Sequence, residues 1–82
     1  MTVAQEIRTF VEENFLYLHP GVALGDEDDL LGAGIVDSLA FVEIVEEVQS
    51  RYGIEVPDVD ITEENFGSIA AIARFMEGKR GG

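Results

Sequence analysis

The chain contains no cysteine. Disulfides, thiolate metal sites and cysteine nucleophiles are thereby excluded, and the absence fits a reducing compartment such as the cytoplasm. Bases are also scarce: five Lys and Arg stand against 17 Asp and Glu, for a net charge of −12. Phosphate backbones and anionic lipid surfaces repel such a chain, so neither nucleic acid nor membrane is an expected partner. A protein with a basic docking face is. Long apolar runs are missing too. Residues 1–15 mix charged with apolar side chains and read as neither signal peptide nor membrane span. There are no internal repeats and no low-complexity segments.

What is present is an apolar content of 46% in 82 residues, enough for one small core and too short for two. Thr2 and Gln5 have the spacing of a capping box. Val3, Ile7, Phe10, Val11 and Phe15 then share one helical face, opposite Glu6, Arg8, Glu12 and Glu13, which predicts a first helix over residues 3–16. His19-Pro20-Gly21 stops it. Residues 17–36 form a long connection. It carries the acidic run Asp26-Glu27-Asp28-Asp29, then Leu30-Leu31 to tie it to the core, then Gly32-Ala33-Gly34 where the chain turns.

Asp37 and Ser38 head a second amphipathic helix that ends near Tyr52, with Gly53 as its C-cap. Leu39, Val42, Val45 and Val48 form its apolar stripe, joined by Phe41, Ile44 and Tyr52, while Glu43, Glu46 and Glu47 mark the outer side. Residues 54–57 alternate as a short extended strap would. Asp60 or Thr62 caps a short third helix running to about Phe66, and Gly67 ends it. Ser68 caps a fourth, whose inward face is Ile69, Ile72, Ala73 and Met76, flanked by Phe75. Residues 78–82 read as a flexible, frayed tail, leaving 1–77 as the domain. The predicted fold class is all-α, a small helical bundle with one long loop.

Asp37-Ser38-Leu39 alone describes only a helix start, in which either of the first two residues caps and Leu39 opens the core face. The wider stretch Leu30-Leu31-Gly32-Ala33-Gly34-Ile35-Val36-Asp37-Ser38-Leu39 resembles the 4′-phosphopantetheine attachment site of the acyl and peptidyl carrier protein family. The likeness continues through Val42-Glu43-Ile44-Val45, Tyr52-Gly53-Ile54-Glu55-Val56-Pro57 and Ile61-Thr62-Glu63-Glu64-Asn65-Phe66, so it spans almost the whole chain. It implies a four-helix bundle with a short third helix set across the others, acting as a monomer. It implies that Ser38 receives a covalent 4′-phosphopantetheine from coenzyme A, through a magnesium-dependent phosphopantetheinyl transferase. Asp37 would help present the site, and Leu39 would be the apolar residue that partners grip beside the arm. Glu43, Glu46 and Glu47 would lie on the recognition helix. The implied partners are that transferase together with acyltransferase, adenylation-type ligase or synthase enzymes.

Two features depart from the commonest fatty-acid carrier pattern. Ile35 and Val36 both intervene between Gly34 and Asp37, where one residue is usual, and Ala40 stands where an acid often follows the motif. That form is similar to stand-alone carriers of aminoacyl or specialised acyl groups, such as D-alanyl and prolyl carriers and type II polyketide or peptide synthetase carriers. The expected role is therefore a discrete carrier in secondary metabolism. The alternatives are a fatty-acid synthesis carrier, or an acidic helical adaptor without a prosthetic group.

Enzymatic activity is not expected. No glycine-rich phosphate loop, metal-ligand cluster or nucleophile-and-base pair is present, and Ser38 has no base beside it in sequence. The acidic stretches beginning at Asp26 and Asp58 hint at calcium loops, but their sixth positions hold Leu31 and Glu63 instead of glycine. His19 stands without a second ligand nearby and receives no role.

Overall fold

The capping box at the amino terminus is made on both sides. The Thr2 hydroxyl accepts from Gln5 N at 3.1 Å, and the Gln5 side-chain oxygen accepts from Thr2 N at 2.8 Å. From there the computed structural model describes residues 2–19 and 21–81, which form four α-helices and no strand. They are α1 (Val3–Asn14), α2 (Ser38–Tyr52), α3 (Glu63–Phe66) and α4 (Ile69–Gly81). Single 3₁₀ turns occupy Leu16–Leu18 and Asp58–Asp60. Among the described residues no helix is long and apolar enough to cross a membrane.

Helix α1 stops two residues short of the predicted 3–16 span. Phe15 leaves helical geometry with φ −130°, turns into the core and meets Phe10 edge-on at 5.8 Å between ring centres. Gly21, at φ +93°, reverses the chain; Pro20, read as part of the stop signal, lies outside the described residues.

The core is built from Val3, Ile7 and Val11 of α1, Ile44, Val45 and Val48 of α2, Phe66 of α3, and Ile69, Ile72 and Met76 of α4. Helices α1 and α3 both pack on α4. Phe66 is fully buried, with Phe41 edge-on to it at 6.3 Å and Phe75 tilted against it at 5.1 Å. Such ring pairs hold better than their area alone implies. The predicted α2 stripe needs a correction. Leu39 and Val42 are 70% and 47% exposed, because the inner face runs through Phe41, Ile44, Val45, Val48 and Tyr52. Those positions follow the 3.6-residue period; Leu39 falls on the opposite side, and Val42 at the edge of the inner face.

The connection from α1 to α2 buries Leu24, Leu30, Ile35 and Val36. Leu30 is its anchor: its N–H donates to Gly67 O at 2.8 Å, and its carbonyl accepts from Ile35 N and Val36 N at 3.2 Å each. The acidic run is held at its edges. Arg8 donates to Asp26 Oδ1 from Nε and Nη2, at 3.2 and 2.5 Å, and the Asp26 carbonyl accepts from Ala70 N at 2.8 Å. The Asp26 hydrogen bond raises the Arg8 pKa above its ordinary value, keeping the guanidinium charged. Asp28 Oδ2 accepts from Gly25 N at 2.7 Å, and Glu27 pairs with Arg74 at 3.3 Å. The first acidic stretch is therefore a set of turn caps and ion pairs.

Of the two candidate caps for α3, Thr62 is the one used: its hydroxyl accepts from Asn65 N, while the Asp60 carbonyl accepts from Asn65 Nδ2 at 2.9 Å. Gly67 follows because a Cβ there would lie 2.3 Å from the Glu63 carbonyl oxygen. Ser68 Oγ accepts from Ala71 N at 3.0 Å and starts α4. That helix continues to Gly81 instead of giving way to a tail at Gly78. No proline interrupts it, and Lys79 holds its last turns, its ammonium over the Phe75 ring at 5.5 Å and 3.9 Å from Asp60. Gly82, the last residue of the expected tail, lies outside the described residues.

Candidate functional site

The site is the head of α2. The Asp37 backbone is extended, with φ −96° and ψ −176°, and its Oδ1 accepts from Ala40 N at 2.8 Å. Its carbonyl accepts from Phe41 N at 2.8 Å. Asp37 is therefore the cap, and Ser38 is the first helical residue. Ile35 and Val36, both buried, pin the chain immediately upstream. The serine is thus exposed on a backbone fixed from both sides.

With Ala40 N engaged by Asp37, the Ser38 and Leu39 N–H groups remain free, since the first N–H groups of a helix have no intrahelical acceptor. Those donors and the positive end of a 15-residue helix favour an anionic group on the Ser38 oxygen. A phosphodiester fits there. The Ser38 hydroxyl has no hydrogen-bond partner among the described residues, so no base among them is placed to activate it as a nucleophile.

Leu39, Val42, Glu43 and Glu46 follow one another at three-, four- and seven-residue offsets and share one exposed sector of α2. The apolar pair is nearest the serine, and Glu46 lies about 10 Å farther along the axis at 1.5 Å per residue. Glu47 differs from the other two acids. Its Oε2 accepts from Arg51 Nε at 2.9 Å and sits 2.7 Å from Nη2, so its charge is already answered within the helix.

A feature the linear sequence did not disclose is a groove of about 390 Å³ beside the serine, lined by Leu31, Ser38, Phe41, Val42, Ile61, Thr62 and Glu63. The side chains come from the first loop, α2 and the start of α3. It lies where Phe41 of α2 meets Phe66 of α3, a contact between segments distant in sequence.

The remaining candidates gather no site. His19 is half-buried at the end of a 3₁₀ turn, where its backbone N–H donates to Leu16 O. Among the described residues no three His, Asp or Glu side chains come together to hold a metal ion. Asp58 and Asp60 bound a 3₁₀ turn, and Asp60 faces Lys79.

The family model described as "Phosphopantetheine attachment site" matches residues 5–76. The chain is similar to the D-alanyl carrier protein of Streptococcus pyogenes serotype M5 (strain Manfredo), 28% identical over 72 residues, covering 82% of this chain and 91% of that one. It is also similar to the D-alanyl carrier protein of Streptococcus suis (strain 05ZYH33), 32% identical over 68 residues, covering 83% and 82%. Among solved structures it resembles a chain described under "Crystal structure of FAD-dependent dehydrogenase". The TM-score is 0.68 at 29% identity, covering 85% of this chain and 97% of that one.

Proposed function

This chain belongs to the phosphopantetheine attachment site family, whose prosthetic group is a covalently attached 4′-phosphopantetheine, and we propose that Ser38 bears that arm. The observation carrying the assignment is the exposed, unpartnered Ser38 hydroxyl on a helix start capped by Asp37. When attached, the arm supplies the thiol that a cysteine-free chain lacks, and that thiol holds an acyl or aminoacyl group as a thioester.

The chain's own residues present and stabilise. Asp37 fixes the first turn, and the free N–H groups of Ser38 and Leu39 face the phosphodiester. Leu39 and Val42 offer an apolar grip close to the arm, with Glu43 and Glu46 beyond it as the charges a basic partner face would read. Chemistry at the thioester belongs to the partners, so the protein itself is a carrier and not an enzyme. Those partners are a phosphopantetheinyl transferase, a ligase or acyltransferase that loads the arm, and enzymes that receive the group.

The finer reading is a stand-alone cytoplasmic carrier of secondary metabolism, of polyketide or nonribosomal peptide type. The two residues between Gly34 and Asp37 support a specialised carrier. The likeness to D-alanyl carrier proteins favours an amino acid as cargo. The likeness to a chain from a structure of an FAD-dependent dehydrogenase favours a flavin oxidoreductase among the receiving enzymes.

Intact mass after incubation with coenzyme A, magnesium and a broad-specificity transferase tests the attachment. One added phosphopantetheinyl group is expected. A folded protein that stays unmodified would make it an acidic adaptor.

A further inference from the structure

The groove beside Ser38 carries one charge. Phe41 and Ile61 contribute to its apolar walls, Ser38 and Thr62 contribute hydroxyls, and Glu63, which also borders a second groove beside Glu64 and Arg74, is the one ionisable residue of its lining among the described residues. The Glu63 carboxylate is exposed and has no ion-pair or hydrogen-bond partner among the described residues. This distinguishes it from Glu27, Glu47 and Asp60, which face Arg74, Arg51 and Lys79. Among the described residues no Lys, Arg or His borders the groove. An arm rooted at Ser38 can fold its end back over these walls, where a neutral group finds apolar contact, an ammonium also finds a counter-charge, and a carboxylate finds repulsion.

We infer that Glu63 is a specificity-determining residue, which makes the groove a resting site for aminoacyl cargo with a protonated amine and disfavours cargo ending in a carboxylate. The inference rests on Ser38 carrying the arm. An α-amino group titrates near about 7.7–8.0 in peptides, so most of it is charged at slightly acid pH. Carboxylate and ammonium interact across open water only within about 10 Å at ordinary ionic strength, so the effect is local to the groove and distinct from the protein's overall negative charge.

The test loads the full chain with amide analogues of alanyl-, propionyl- and malonyl-pantetheine from the corresponding coenzyme A derivatives. Alanyl and propionyl differ only in the ammonium group. Shifts of the Phe41, Val42 and Ile61 signals are then followed by NMR at pH 6.5 and low salt. The expected order of docked population is alanyl, then propionyl, then malonyl, with steps of about 1.5- to 5-fold, the range an exposed charge pair supports. Glu63→Gln should bring alanyl and propionyl together, whereas neutralising an exposed acid of α1, Glu13→Gln, should leave the order intact. Equal shifts for the three cargoes, or an alanyl preference that survives Glu63→Gln, would overturn the inference while the arm stays on Ser38. Failure of any analogue to attach, seen by intact mass, would instead remove the attachment reading beneath it.

Discussion

The Tyr52 hydroxyl donates a 2.5 Å hydrogen bond to Glu6, a residue 46 positions earlier, and so locks the end of α2 to the first turns of α1. Both partners are only partly exposed. Tyr52→Phe keeps the ring and removes the donor, leaving a half-buried carboxylate without it. The expected loss is about 0.5–1.5 kcal/mol. For a domain of this length, each kcal/mol is about 4–8 °C in Tm. Thermal unfolding by circular dichroism reads it, and an unchanged Tm would mean that Glu6 is equally well served by water.

Capping and attachment separate into neighbouring residues. Ser38→Ala should unfold within a few tenths of a kcal/mol of the parent, since Asp37 still caps α2, and should accept no label from coenzyme A analogues. Asp37→Ala should instead cost about 0.5–2 kcal/mol, and it should slow labelling without abolishing it. Labelling of the Ser38→Ala protein would put the arm elsewhere.

Docking charge should reside in Glu43 and Glu46 more than in Glu47, which Arg51 already neutralises. Reversing Glu43 and Glu46 to lysine should slow thioester formation by the cognate loading enzyme about 2- to 30-fold at low salt, taking two exposed pairs of about 0.2–1 kcal/mol each. High salt should shrink the difference. Glu47→Gln should change the rate less than twofold. The readout is the loading rate of arm-bearing protein at two salt concentrations, and equal effects at the three positions would mean that the field of the whole molecule steers docking.

Salt should also raise Tm. From Asp37 to Glu64 there are nine acids and one base, Arg51, giving a local charge of −8. Screening weakens attraction and repulsion alike, so the balance decides. The five ion pairs among the described residues are exposed or half-exposed and individually weak. Repulsion among the remaining acids is expected to outweigh them. A Tm that stays flat or falls on adding salt would make the ion pairs holding the first loop the larger effect.

Much of this fold was legible because its signals are local. Thr2-Gln5, Asp37, Thr62 and Ser68 each bond within a few residues of themselves, and Gly53 adopts the left-handed φ of +63° that its position after Tyr52 anticipated. The attachment motif is contiguous, so the candidate serine was readable too. What escaped depends on contacts between distant segments. Leu39 and Val42 look like core residues until Ile44 and Phe41 define which side of α2 meets Phe66. Glu47 looks equivalent to Glu43 until the Arg51 rotamer is known, and the groove exists only once Leu31, Phe41 and Ile61, from three separate segments, come together.

Leu30, tied to Gly67 by its N–H and to Ile35 and Val36 by its carbonyl, has a consequence for how cargo travels. The backbone leading into Ser38 is clamped, and Asp37 clamps the turn after it. The protein thus supplies a stationary origin, and the span a tethered group can cover equals the arm's own contour. If α2 is the docking face, as proposed, enzymes that use the same cargo in succession must each bring their reaction centre inside that radius, one after another, over that one face. Order along such a route would then follow from competition for this face, and tuning how quickly each enzyme leaves it would redirect the cargo without altering any reaction centre.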